Sequence, residues 1–361
     1  MKRFACSLCV AALLAFLVGC GNSNKTNTTP GFVVAADSIN GNNIEIFSVN
    51  QTSSALTAIS GSPYNFSLAG PDGSIVTHPN GKWVYVCDWS STNLIGLSID
   101  QTAGTPTAIG STVNTTGGCD WSSSMAITPA GKYIYTADDD DNISSFSVNS
   151  STGALTQVGT PATVSGSAWV ITATDSYVYA GGDGSQNIYI MKINSDGSLG
   201  TPTTFAAGVG TESLAIDRSQ KFLVIGGTSG VGFAGYSINA DGSLTSLGSP
   251  VVPSGVSWVD QIVFSGDNKF MYASDEGVGV RAFSFNPSTG AIAELAGSPY
   301  ATSNSGSDSV AMDPTGKFVY ADDSCSNVYS WVRDTTAGTL SSGTPTTTAG
   351  DAVCQLTVTW K

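Results

Sequence analysis

The sequence predicts an all-β chain folded as a seven-bladed propeller, and three observations carry that expectation. One strand motif recurs seven times. Each copy sits in the same order of short strands and tight turns. The two ends of the chain supply complementary parts of one unit.

The recurring strand reads FVVAAD from Phe32, WVYVCD from Trp83, YIYTAD from Tyr133, YVYAGG from Tyr177, FLVIGG from Phe222, FMYASD from Phe270 and FVYADD from Phe318. Each copy is a β-branched and aromatic run closed by Gly or Asp, as expected of a buried strand. Ahead of several copies stand a short apolar strand and a Pro/Gly turn: THPNGK at Thr77, ITPAGK at Ile127 and AMDPTGK at Ala311. Pro suits position i+1 and Gly position i+3 of a type I turn, so two antiparallel strands meet there. A third strand follows each copy, such as NIEIFSV, NISSFSV, NIYIMKI or VRAFSF. A turn carrying Gly104, Gly153, Gly197, Gly242, Gly290 or Gly338 then leads to a fourth. The unit is a four-stranded meander, with strand A at the axis and strand D at the rim. The chain starts on strand B at Phe32 and finishes on QLTVTWK, an isolated strand A. Gln355 to Trp360 is therefore expected to complete the first blade and remove the open edge.

The turns PxGKxVY, the FSV-N-xxTGxLT hairpins and the tails SGSPY (Ser60 to Tyr64) and GSPY (Gly297 to Tyr300) resemble the seven-bladed lactonase-type propellers. That group includes bacterial 6-phosphogluconolactonase and fungal muconate-lactonizing enzymes, and the resemblance spans Gly31 to Lys361. It implies one propeller domain over residues 31–361 and a site using His, Glu and Arg at the top of the channel. The chain departs from that pattern. Its one histidine, His78, falls in the A–B turn of blade two. Of the arginines beyond the leader, Arg218 lies in an A–B turn, while Arg281 and Arg333 lie on or just after strand C. A phosphorylated lactone needs converging cations, and none converge.

The N-terminus MKRFACSLCVAALLAFLVGC joins two cations to a short apolar run and a small residue before Cys20, which reads as a lipoprotein signal peptide over residues 1–19. Cleavage and acylation at Cys20 would leave residues 20–30, GNSNKTNTTP and its neighbours, as a flexible tether. The expected location is the bacterial cell envelope, lipid-anchored, with the outer membrane favoured by Gly21. The mature chain then carries 11 Lys and Arg against 27 Asp and Glu, a net charge of −16. Nucleic acid is not an expected partner.

The pentapeptide CDWSS occurs twice, at Cys87 to Ser91 and Cys119 to Ser123. The first copy ends strand B of blade two, and the second leads into strand A of blade three. Both belong to the top face, where the B–C hairpins and D–A connections emerge. Cys87, Cys119, Cys325 and Cys354 allow three pairings. Their blade positions favour Cys87–Cys119 and Cys325–Cys354, each bridging neighbouring blades in an oxidising compartment.

The same repeat brings Trp89 and Trp121, with Asp88 and Asp120, to the top rim beside Trp169 and Trp258. These are the candidate ligand-binding residues, as a stacking platform for a sugar or an aromatic group. Asp residues recur after strand B, chiefly as turn formers. The run Asp138, Asp139, Asp140, Asp141 is a weak calcium candidate, and no other cofactor is implied. Lysines occupy the A–B turns, so the top is expected to be acidic and the bottom partly basic. Glu212 and Glu276, two of only four glutamates, are the candidate general bases. The leading expectation is a monomeric, anchored propeller that binds a ligand or partner protein at this top face. The alternatives are a hydrolase of a neutral lactone and a structural envelope protein.

Overall fold

The computed structural model describes residues 30–360 apart from 38–42, 71–72, 120–122, 139, 167, 183–185, 305, 325–326 and 350–352. The expected signal peptide, Cys20, Asp120, Trp121, Asp139 and Cys325 lie outside the described residues, as does the side chain of Cys354.

Seven antiparallel sheets follow one another along the chain, each with its strands in meander order. The strand copies read from sequence are the second strands: Pro30–Asp37, Trp83–Cys87, Tyr133–Ala137, Tyr177–Gly181, Phe222–Gly226, Phe270–Asp275 and Phe318–Asp322. They are buried because they sit mid-blade, covered by the neighbouring blade on each face. The fold is a seven-bladed β-propeller.

Ring closure occurs as expected. Val353–Trp360 pairs with Pro30–Asp37, placing Val34 opposite Thr357 and Ala35 opposite Leu356. The first blade is thus made from both ends of the chain. Apolar clusters fill the gaps between blades; the closing one joins Val33, Ala35 and Phe47 of blade one to Phe318 and Tyr320 of blade seven.

Turn chemistry sets the two faces. At the bottom, Asp217 Oδ1 accepts from the amides of Lys221 and Phe222, and Asp313 Oδ1 from those of Lys317 and Phe318, closing their A–B turns. His78 has the same place in blade two. Its Nδ1 accepts from Asn80 N at 3.0 Å, so Nε2 carries the proton and donates to Gly131 O of blade three at 2.9 Å. The bottom is balanced rather than basic. Lys82, Lys132, Lys192, Lys221, Lys269, Lys317, Arg218 and Arg333 share it with Asp100, Asp175, Asp196, Asp217, Asp241, Asp267, Asp313 and Asp334. The net negative charge therefore gathers on the top.

Candidate functional site

The disulfide Cys87–Cys119 is present, with both cysteines buried and their Cα atoms 5.8 Å apart. It ties the end of strand B in blade two to the connection entering blade three. Next to it, Asp88 is used up by structure: its carboxylate accepts from the amides of Ala69, Gly70 and Ser90 and from Ser91 Oγ. Asp138 likewise accepts from the amides of Asp140 and Asn142. Asp88 and Asp138 thus act as hairpin formers.

The tryptophans separate. Trp89 is 52% exposed and Trp258 39% exposed, whereas Trp169 packs against the apolar cluster between blades four and five.

Carboxylates converge in one place. Asp260, Glu276 and Asp308 each present an oxygen within 4.8 Å of the others, on the top face of blades six and seven. Asp260 leads into strand A of blade six (Ile262–Phe264), Glu276 follows strand B of that blade, and Asp308 leads into strand A of blade seven (Val310–Met312). Glu276 N donates to Trp258 O at 3.0 Å, so the exposed indole belongs to the same loops. Burial holds the Asp260 carboxyl well above the ordinary carboxylate range, and the charges of Glu276, Asp308, Glu212 and Asp322 push it further. Glu276 is raised by burial and then by Asp308 and Asp275. Asp308 is raised by burial, opposed by the hydroxyl of Ser324 that donates to it at 2.9 Å.

Of the two predicted bases, Glu276 is part of this cluster and Glu212 acts on it from blade five. Asp260 and Asp308 were missed, although the repeat encodes them. Counting back from the A–B turn residues, Glu212 precedes Asp217 as Asp260 precedes Ser265 and Asp308 precedes Asp313, by five positions each. Three consecutive blades thus place an acid at one repeat position beside the channel. Ser123 fills that position in blade three and Trp169 in blade four.

No basic side chain answers these acids among the described residues. Arg281 is fully buried and donates to Asp275 at 2.7 Å, Glu294 at 2.9 Å and Ser254 O at 3.1 Å. Arg218 and Arg333 belong to the bottom. Arg218 donates to Phe264 O, and Arg333 to Gly316 O and Tyr272 Oη. The arrangement can share protons among carboxyls and repels anions. Its all-oxygen donor set is also the group among the described residues that could hold a hard cation.

Residues 41–172 match the family described as lactonase, 7-bladed beta-propeller. Among solved structures, a putative 6-phosphogluconolactonase from Bacteroides uniformis is 20% identical with a TM-score of 0.74, covering 91% of this chain and 99% of its own. A second putative 6-phosphogluconolactonase, from Bacteroides fragilis, is 20% identical with a TM-score of 0.70, covering 92% and 99%. The periplasmic gluconolactonase of Pseudomonas aeruginosa is 14% identical with a TM-score of 0.74, also covering 92% and 99%. The search of curated proteins found no match. At these identities the solved structures support the fold.

Proposed function

We propose that the top of blades five to seven binds a neutral, hydroxyl-rich lactone and hydrolyses it. The observation that carries this reading is the juxtaposition of Asp260, Glu276 and Asp308 at the channel mouth, with oxygens within 4.8 Å and burial that raises the Asp260 and Glu276 carboxyls above their ordinary values. The match of residues 41–172 to a lactonase family supports the reaction class.

The division of labour follows from exposure. Glu276 is the solvent-facing member, ionises before buried Asp260, and acts as general base on water. Asp260 keeps its proton longest and donates to the oxygen that gains charge. Water adds to the lactone carbonyl as its proton passes to Glu276. The ring C–O bond then breaks, and that proton goes to the departing alkoxide, leaving a hydroxy acid. Trp258, exposed beside Glu276, gives the sugar ring a stacking surface. A phosphorylated lactone is disfavoured because the mouth lacks a free cation among the described residues.

Export and lipid anchoring through Cys20 belong to the same proposal and rest on the N-terminal sequence. An envelope location supplies neutral sugar lactones rather than cytosolic phosphosugars. The test is proton release by the purified protein with neutral and phosphorylated lactones, with and without Ca²⁺. Turnover of a neutral lactone that is lost in Glu276→Gln supports the reading. Silence across the panel, with carbohydrate binding that quenches Trp fluorescence, would make the site a binding module instead.

A further inference from the structure

One hydrogen bond crosses the channel mouth. Ser123 Oγ donates to the backbone carbonyl of Asp260 at 2.8 Å, joining blade three to blade six, which share no strand pairing and no common neighbour in the ring. Ser123 occupies in blade three the repeat position that Asp260 occupies in blade six. It is itself well fixed. Its carbonyl accepts from Ile171 N of blade four at 2.9 Å, and the same connection is anchored at Cys119 to Cys87 of blade two.

The other side of Asp260 is held through Gln261. The Gln261 amide donates to Ser274 Oγ within blade six at 2.9 Å. Its side-chain oxygen accepts from Ser309 Oγ at 2.9 Å and Val310 N at 2.8 Å, both in blade seven. Ser123 thus ties the peptide bearing Asp260 to the opposite side of the ring.

We propose that Ser123 is a positioning residue, whose bond across the channel fixes the backbone from which the Asp260 carboxyl reaches Glu276 and Asp308. This role rests on the carboxyl cluster being the working site. It also explains the second CDWSS copy: the disulfide anchors the connection whose last serine reaches the site. The groups that face Asp260 are Glu212 from blade five, Glu276 from blade six, and Asp308 and Asp322 from blade seven.

The test reads Asp260 directly, in full-length protein labelled at the aspartate carboxyl carbons and titrated by NMR, with Asp260→Asn assigning the signal. Ser123→Ala frees the peptide and lets water reach the carboxyl, so its midpoint falls towards the ordinary range. Ser123→Thr keeps the hydroxyl and retains the wild-type midpoint. An unchanged midpoint in Ser123→Ala overturns the role, whether or not any lactone is turned over. A shifted midpoint in a protein that turns over no lactone upholds the role and removes the hydrolase reading alone. Where turnover is found, Ser123→Ala lowers kcat by about 10- to 100-fold with KM little changed, and Ser123→Thr restores it.

Discussion

Tyrosines of strand B stitch four of the seven blade junctions, Val34 and Val224 stand at the same position in two others, and in the seventh Tyr320 forms no such bond. Tyr85, Tyr135, Tyr179 and Tyr272 of strand B each donate to the carbonyl of the C–D turn glycine in the following blade: Gly153 at 2.8 Å, Gly197 at 3.0 Å, Gly242 at 2.9 Å and Gly338 at 2.6 Å. Glycine is required there because a Cβ on Gly197 would lie 2.2 Å from the ring of Tyr133, and one on Gly338 2.1 Å from Phe270. Tyr320 should reach the C–D turn of blade one, where Ser54 replaces glycine at φ 62°. The Tyr320 hydroxyl is buried and has no hydrogen-bond partner among the described residues. Replacing Tyr85, Tyr135 or Tyr179 by Phe removes a buried bond and strands a carbonyl, at about 1 to 2 kcal/mol each. Tyr272→Phe also strands Arg333 Nε, which donates to the same oxygen at 2.9 Å, so it costs about 2 to 3 kcal/mol. Tyr320→Phe loses no bond and sheds an unpaired hydroxyl, so its effect lies between zero and about 1 kcal/mol of stabilisation. Urea unfolding followed by Trp fluorescence measures the series. A Tyr320→Phe midpoint lowered as far as that of Tyr85→Phe would refute the reasoning.

Three further outcomes follow from the same geometry. Replacing Cys87 and Cys119 by Ser opens a loop with a sequence separation of 32 residues, which the chain-entropy estimate values at about 3.7 kcal/mol; urea midpoints under oxidising and reducing conditions check it. Asp260 has a folded-state value above its unfolded one, so its contribution is complete below the ordinary value of 3.8 and is lost as pH rises towards the folded value. Asp260→Asn should therefore stabilise the protein at pH 7 and change it little at pH 4, read from urea midpoints at the two pH values. His78 is shifted the other way, below 6.5, mainly by burial, so its contribution is complete above that pH and declines as pH falls beneath it; thermal melts between pH 5 and 8 should show that decline in the wild type and not in His78→Gln.

The blades were legible because turn chemistry and strand composition repeat in register: PxGK turns, the strand ending in VY, and the glycine of each C–D turn. Ring closure was legible because a strand B stood first and a strand A last. The site was half legible. Glu212 and Glu276 stand out in a chain with four glutamates, and Glu276 lies in the cluster. Asp260 and Asp308 were hidden among many aspartates, most of which close hairpins, as Asp88 and Asp138 do. Separating the two kinds requires aligning blades on the A–B turn, because an Asp after strand B turns inward to backbone amides while an Asp before strand A faces the channel mouth. The Ser123–Asp260 bond could not be read from local pattern at all. It joins residues 137 positions apart, and only the diameter of the closed ring brings them together.

The most direct measurement is the pH profile of kcat/KM for a neutral sugar lactone in the wild type, Glu276→Gln and Asp260→Asn. The carboxyl cluster predicts an acidic limb set by a raised carboxyl, abolition of turnover in Glu276→Gln, and a strongly reduced rate in Asp260→Asn. Turnover that survives both substitutions with an unaltered profile would contradict the assignment of catalysis to this face of the propeller.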